Sequence, residues 1–145
     1  MKIALILLAT ISLTAGDSKP ISKKKVPAQV MEAFKRAYPS ATLKAISSEK
    51  RDGKICYEVE SLDGKQKRDL IYAADGSVME IEESIPLSAL PDPVKKAMAD
   101  QHPKAVLKSA EKLIRGTDIT FEVIAAEGKK SGEFLFDSNG HPKTK

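Results

Sequence analysis

The chain has 145 residues, 24 of them basic and 20 acidic, which gives a formal net charge of +4. Charges of both signs are interspersed and tryptophan is absent, so a nucleic-acid-binding surface is not indicated. Cys56 is the one cysteine, which excludes an internal disulfide and leaves stability to the core.

Residues 1–16 are predicted to be a secretory signal peptide. Lys2 precedes an apolar run at residues 3–13, and Ala15 and Gly16 suit a cleavage site. The run is shorter than the roughly 20 residues that span a bilayer. We therefore expect export to the periplasm or the extracellular space, with no stable membrane insertion after cleavage; an uncleaved anchor is the alternative. Residues 17–25 are predicted to be a flexible leader.

The rest of the chain is an internal repeat. When the sequence is shifted by about 64 positions, residues 55–76 align with residues 119–140 without a gap. We therefore predict one repeat over residues 26–83, a connector over 84–89 and a second repeat over 90–145.

Each repeat is predicted to begin with a helix. Pro27 and Pro91 suit the first turn, where a missing N–H costs nothing, and Pro39 and Pro103 end the helices. Between these prolines, apolar residues recur at helical spacing. Each helix therefore has one apolar stripe, formed by Val30, Ala33, Phe34, Ala37 and Tyr38 in the first repeat and by Val94, Ala97 and Met98 in the second.

Strands with period-two alternation follow each helix. The first repeat is predicted to have strands near residues 42–50, 55–60, 67–73 and 77–82, and the second near residues 106–114, 119–123 and 130–137. Gly64 and Gly128 suit hairpin turns. Only five residues follow Gly140, and Pro142 has no backbone N–H to donate to a neighbouring strand. The fourth strand of the second repeat is therefore predicted to be short or absent.

The predicted fold class is α+β. Two tandem repeats each have one helix and a three- to four-stranded antiparallel meander, with the helices packed on one face of the sheet. A unit of about 60 residues buries a marginal core, so the repeats should pack together or share a sheet. The opposite, partly polar face is a possible partner-facing surface, with Cys56, Glu58, Glu60, Thr120 and Glu122.

No pattern of residues predicts catalysis or a metal. His102 and His141 lie on unrelated elements without ligand spacing. Cys56 has acidic neighbours and no base, so a structural thiol is favoured, with an intermolecular disulfide or redox contact as the alternative. Glu58 and Glu122 occupy equal repeat positions, and repeat symmetry explains them without acid–base chemistry. The Asp-Gly and Asn-Gly pairs lack the acidic spacing of calcium loops.

A family resemblance covers residues from about Val26 to Pro142. The motifs that carry it are Val26-Pro27 and Leu90-Pro91, Tyr38-Pro39 and His102-Pro103, Tyr57-Glu58-Val59 and Phe121-Glu122-Val123, and Asp75-Gly76 and Asn139-Gly140. In these motifs the chain resembles the PepSY-like domain proteins, also called beta-lactamase-inhibitor-like. The resemblance implies an exported α+β protein that binds or inhibits other proteins, with no cofactor and no catalytic residues. The truncated second repeat departs from the pattern of four strands.

These observations favour an exported, non-enzymatic module that presents a sheet face or edge to a secreted or periplasmic protein. No cofactor, metal ion or nucleic acid is expected. The alternative is a protein that binds a small molecule, a metal ion or an envelope component in the groove between the repeats.

Overall fold

The computed structural model describes residues 19–144, so the predicted signal peptide lies outside the described residues. Two helices and nine strands make up these residues, with short 3-10 turns at Lys23–Lys25 and Leu87–Ala89. The first half contains β1 (Lys19–Pro20), α1 (Ala28–Ala37), β2 (Thr42–Arg51), β3 (Lys54–Asp63), β4 (Gln66–Ala73) and β5 (Val78–Ile85). The second half contains α2 (Asp92–Gln101), β6 (Val106–Arg115), β7 (Asp118–Glu127), β8 (Lys130–Asp137) and β9 (Pro142–Lys143).

All nine strands belong to one antiparallel sheet, in which they lie side by side in chain order. The two halves join where β5 pairs with β6, with Ile81 opposite Ile114 and Ile85 opposite Ala110. The halves therefore share one continuous sheet, and hydrogen-bonded backbone forms their junction.

The helices begin and end where the prolines predict. α1 follows Pro27 and α2 follows Pro91, and each of these prolines accepts the first backbone hydrogen bonds of its helix. Tyr38 and His102, each followed by a proline, end the helices outside helical geometry. The residues that each helix buries are Val30, Met31, Ala33 and Phe34 in α1 and Val94 and Met98 in α2.

Both helices cover the same face of the sheet. Val59, Leu70 and Ile81 lie opposite one another on β3, β4 and β5, and all three belong to the core under α1. Ile85 packs into the core under α2. Because Ile81 and Ile85 are four residues apart on one strand, their side chains point to the same face. The predicted α+β class and the packing of both helices on one sheet face agree with this arrangement.

Each turn after β4 and β8 fits against the first turn of a helix. A Cβ atom at Gly76 would lie 2.6 Å from the carbonyl oxygen of Gln29, and one at Gly140 would lie 2.5 Å from that of Pro93. Both glycines also have positive φ, at 84° and 80°. Only glycine meets both conditions without strain, because a side chain disfavours this backbone region.

The structure differs from two predicted boundaries. Part of the expected leader is ordered, because β1 pairs with Ser47 and Ser48 on β2 and Ile21 packs against the first core. Part of the expected connector is strand, because β5 runs on to Ile85, which packs into the second core. In both places tertiary pairing extends an element beyond what local patterning indicates. The fourth strand of the second half is the two-residue stub β9.

Candidate functional site

One face of the sheet carries no helix among residues 19–144, and we call it the helix-free face. Strand alternation and register define it, because directly opposite residues point to the same side. Its rows across the sheet are Ser47, Glu58, Ile71 and Glu80; then Glu60, Asp69, Glu82, Leu113 and Thr120; then Ser84, Glu111, Glu122 and Leu135.

The structure places all five predicted surface residues on the helix-free face, but in two separate groups. Cys56, Glu58 and Glu60 lie on β3, whereas Thr120 and Glu122 lie on β7. Four strand spacings separate these strands, about 19 Å. Glu60 is exposed, Glu58 is half-buried and accepts a hydrogen bond from Ser47 Oγ at 2.8 Å, and the other three are buried.

Between the two groups lie three further acidic side chains, Asp69, Glu82 and Glu111, that the sequence analysis did not single out. Glu60, Asp69 and Glu82 lie directly opposite one another on β3, β4 and β5. Glu58 and Glu111 are close enough for their charges to act on Asp69. We call these five residues the carboxyl cluster: Glu58, Glu60, Asp69, Glu82 and Glu111. Like charges directly opposite each other destabilise a sheet, so the arrangement is costly to the fold.

The carboxyl cluster raises the pKa of Asp69. Burial, followed by the negative charges of Glu58, Glu60 and Glu111, raises this pKa from 3.8 to about 6. Lys67, the nearby cation, offsets only part of the effect. Asp69 therefore takes up a proton in the mildly acidic range, well above the usual range of an aspartate.

Glu80 and Glu82 are neighbours on the same face of β5, and their pKa values move apart. Burial raises the pKa of Glu82, and the hydrogen bond to Glu80 raises it further. Burial also opposes ionisation of Glu80, but hydrogen bonds from Arg115 and Glu82 outweigh burial and lower its pKa. Of these two carboxyl groups, Glu82 is the one whose ionisation is disfavoured. Glu80 carries the negative charge.

Two arginines meet at the buried Glu80 carboxylate, which is 2% exposed. Arg51 Nη1 lies 3.1 Å from Glu80 Oε2, and Arg115 Nε donates to the same oxygen. Arg51 also donates its Nε–H to Glu49 Oε1 at 2.5 Å. By strand alternation Lys54 and Lys143 lie on the same face nearby. We call Arg51, Lys54, Arg115 and Lys143 the basic end of the helix-free face.

The Cys56 thiol is enclosed beside the basic end. It is 1% exposed and donates a hydrogen bond to the carbonyl oxygen of Glu49 at 3.6 Å. Burial raises its pKa, and the negative charge of Glu49 raises it further. Since the thiolate is the reactive form, this environment makes Cys56 a poor nucleophile.

The two histidines have separate local contacts. The His102 ring packs on Phe134 with centroids 4.1 Å apart. At the matching position of the first half, Tyr38 instead packs under the guanidinium of Arg68, 4.3 Å from the ring centroid. His141 Nδ1 lies 2.9 Å from Asp137 Oδ2 in an exposed turn. Residues 19–144 contain no group of three or more His, Cys, Asp or Glu side chains placed to hold a metal ion.

The fold and this face define an α+β protein with a single antiparallel sheet, covered by two helices on one side and carrying paired charges on the other. A family model described as "putative beta-lactamase-inhibitor-like, PepSY-like" matches residues 13–79 and again residues 55–142. The chain belongs to this PepSY-like family. A comparison with curated proteins found no match.

Solved structures share the fold at low sequence identity. A protein from Bacteroides eggerthii, described as "putative periplasmic", matches with a TM-score of 0.67 and 16% identity, over 81% of this chain and 85% of its own. A BLIP-like protein from Bacteroides fragilis matches with a TM-score of 0.64 and 18% identity, over 82% and 84%. A DUF2874 family protein from Bacteroides uniformis matches with a TM-score of 0.66 and 15% identity, over 81% and 86%.

Neither helix within residues 19–144 has the length and apolar character that a membrane span requires.

Proposed function

We propose that the protein is an exported, non-enzymatic binding module whose helix-free face binds another secreted or periplasmic protein. The observation that carries this proposal is the carboxyl cluster, in which Glu60, Asp69 and Glu82 stand directly opposite one another. A costly array of like charges is expected where function rather than stability selects the residues. The residues proposed to face the partner include the predicted set, Cys56, Glu58, Glu60, Thr120 and Glu122, and the carboxyl cluster between its two groups.

The size of the face suits a protein partner. Strands of about ten residues rise roughly 33 Å, and the seven long strands β2–β8 span about 29 Å across the sheet. Their product, roughly 950 Å², is comparable with the roughly 800 Å² that each partner contributes to a standard protein–protein interface. A sheet face of this size has room for one protein domain.

Export and the kind of partner are supported by the sequence and by the comparisons. The predicted signal peptide favours export, and the structural neighbour from Bacteroides eggerthii is described as "putative periplasmic". The family is described as inhibitor-like, and one structural neighbour is BLIP-like. A hydrolase or another exported enzyme is therefore the first partner class to test. In this proposal the two halves are tandem copies of one unit that together form one binding face.

Affinity capture with matched charge reversals tests the proposal. The mature chain, beginning near Asp17, is used to capture proteins from exported fractions, which mass spectrometry then identifies. Glu60→Lys changes an exposed residue of the helix-free face, and Glu32→Lys makes the same change on the exposed side of α1. We expect a protein that the unaltered chain and Glu32→Lys capture and that Glu60→Lys does not. No captured protein, or equal capture by both variants, would contradict the proposal.

A further inference from the structure

We propose that Arg51 and Arg115 together bind a carboxylate of the partner protein, an aspartate or glutamate side chain, at the basic end of the helix-free face. This inference rests on the proposed function, since it names the chemistry by which the same face recognises its partner. It concerns two residues that the sequence analysis did not single out, contributed by β2 in the first half and β6 in the second.

The two guanidinium groups are held side by side before any partner arrives. Both donate a hydrogen bond to the same oxygen of Glu80, so the two groups are close enough for a single carboxylate to contact both. Glu80 is almost fully buried and cannot move away, and buried Glu49 holds Arg51 from a second direction. A binding group fixed in advance loses less conformational entropy when its ligand binds.

Several N–H groups of the pair remain available for a ligand. Arg51 uses Nε and Nη1, and Arg115 uses Nε, in the contacts that the described part of the chain makes. The other Nη groups have no partner within residues 19–144. The side chains of Arg51 and Arg115 are 35% and 54% exposed, respectively. Guanidinium N–H groups match the two oxygens of a carboxylate, which makes such contacts strong and directional.

Positively charged side chains gather at the basic end. Arg51, Lys54, Arg115 and Lys143 lie there, and Glu49, Glu80 and Asp118 make ion pairs with three of them. The carboxyl cluster further along the face repels a carboxylate. The face is therefore polarised, and a matching partner has an acidic residue over the arginines and a basic residue over the carboxyl cluster.

A small carboxylate probe tests the arginine pair without knowledge of the partner. The mature chain, labelled with nitrogen-15, is titrated with N-acetyl-glutamate amide, and N-acetyl-glutamine amide serves as the uncharged control at matched ionic strength. NMR follows the Nε–H signals of Arg51 and Arg115 and their backbone amides. Arg115→Gln removes one guanidinium and leaves Arg51 on Glu80, whereas Arg36→Gln removes an exposed arginine from α1 as the matched control.

We expect saturable shifts at Arg51 and Arg115 with the glutamate probe and none with the glutamine probe. Arg115→Gln should weaken the binding about tenfold, since a charge-assisted hydrogen bond is lost, and Arg36→Gln should not change it. Shifts that do not saturate, or an affinity for the glutamate probe that is unchanged in Arg115→Gln, would overturn the inference. Inorganic phosphate that saturates the site when the glutamate probe does not would also overturn it. If the probe fails while protein capture still depends on Glu60, this inference fails and the proposed function stands.

Discussion

Arg115 of the second half donates a hydrogen bond to the buried carboxylate of Glu80, on the last long strand of the first half. Arg51 reaches the same oxygen from β2 at 3.1 Å. A carboxylate that is buried on folding must be paired, because an isolated buried charge is strongly unfavourable. Glu80 is thus a charge that both halves of the chain neutralise together.

Removal of both arginines should cost far more than the sum of the single removals. Arg51→Gln or Arg115→Gln alone should cost about 1 kcal/mol, because the remaining arginine keeps Glu80 paired. The double variant leaves the buried carboxylate without a cationic partner and should cost about 3–5 kcal/mol. Urea unfolding of the four proteins measures the coupling, and additive losses would contradict the shared pairing.

Substitution of Gly76 or Gly140, the turn glycines beside the helices, should destabilise the protein more than substitution of other glycines with positive φ. Gly76→Ala and Gly140→Ala add a Cβ where a helix carbonyl oxygen already lies, so each should cost about 3 kcal/mol or more. Gly64 and Gly128 also have positive φ, but a Cβ atom added at either position would meet no atom within 4 Å. Each substitution to alanine should therefore lower the free energy of unfolding by about 1–2 kcal/mol. Urea midpoints compare the two pairs, and equal losses would rule out close packing between turn and helix.

Asp69 should make the fold less stable as the pH rises. The folded chain binds the Asp69 proton more tightly than the unfolded chain does. The loss of folding stability that accompanies ionisation of Asp69 is therefore absent below about pH 4 and complete above about pH 6. Asp69→Asn should therefore gain about 1 kcal/mol at pH values near 7.5, after allowance for solvent screening, and nothing near pH 3.5.

Urea unfolding across this pH range measures the gain from Asp69→Asn. Asp100→Asn, which removes an exposed aspartate from α2, is the matched control for loss of one negative charge. A constant difference between Asp69→Asn and the unaltered chain at all pH values would show that the carboxyl cluster does not hold the proton.

The Cys56 thiol should be protected in the folded protein. Its sulfur is enclosed and its pKa is raised by burial and by Glu49, so few thiolates are exposed to a reagent. We expect a thiol-specific disulfide reagent to label the mature chain quickly in concentrated urea and very slowly in buffer. Rapid labelling in buffer would show that the strand around Cys56 opens, and would favour the alternative of an intermolecular disulfide.

Local patterning predicts much of this fold because its helices and strands are closely spaced along the chain. The alternation in residues 130–137 gives β8 with the same bounds as in the structure. The prolines after Tyr38 and His102 mark both helix ends. β1 and the end of β5 could not be predicted in this way, because pairing with β2 and packing of Ile85 into the second core determine them.

The candidate site depends on register, which a single strand does not reveal. Glu60, Asp69 and Glu82 lie on three different strands, and nothing within any one of these strands indicates that they face one another. A hairpin alignment through the turn at Gly64 would have placed Asp69 opposite Glu60. The meeting of Arg51 and Arg115 at Glu80 also requires the pairing of β5 with β6, which joins the two halves.

Site-specific photocrosslinking in the exported fraction determines whether a partner protein lies on the helix-free face. A photoreactive amino acid replaces Glu60 on the helix-free face in one variant and Glu32 on α1 in another, both at exposed positions. We expect a discrete crosslinked protein from position 60 and none from position 32. Crosslinking from position 32 alone, or from neither position, would contradict partner binding through the helix-free face.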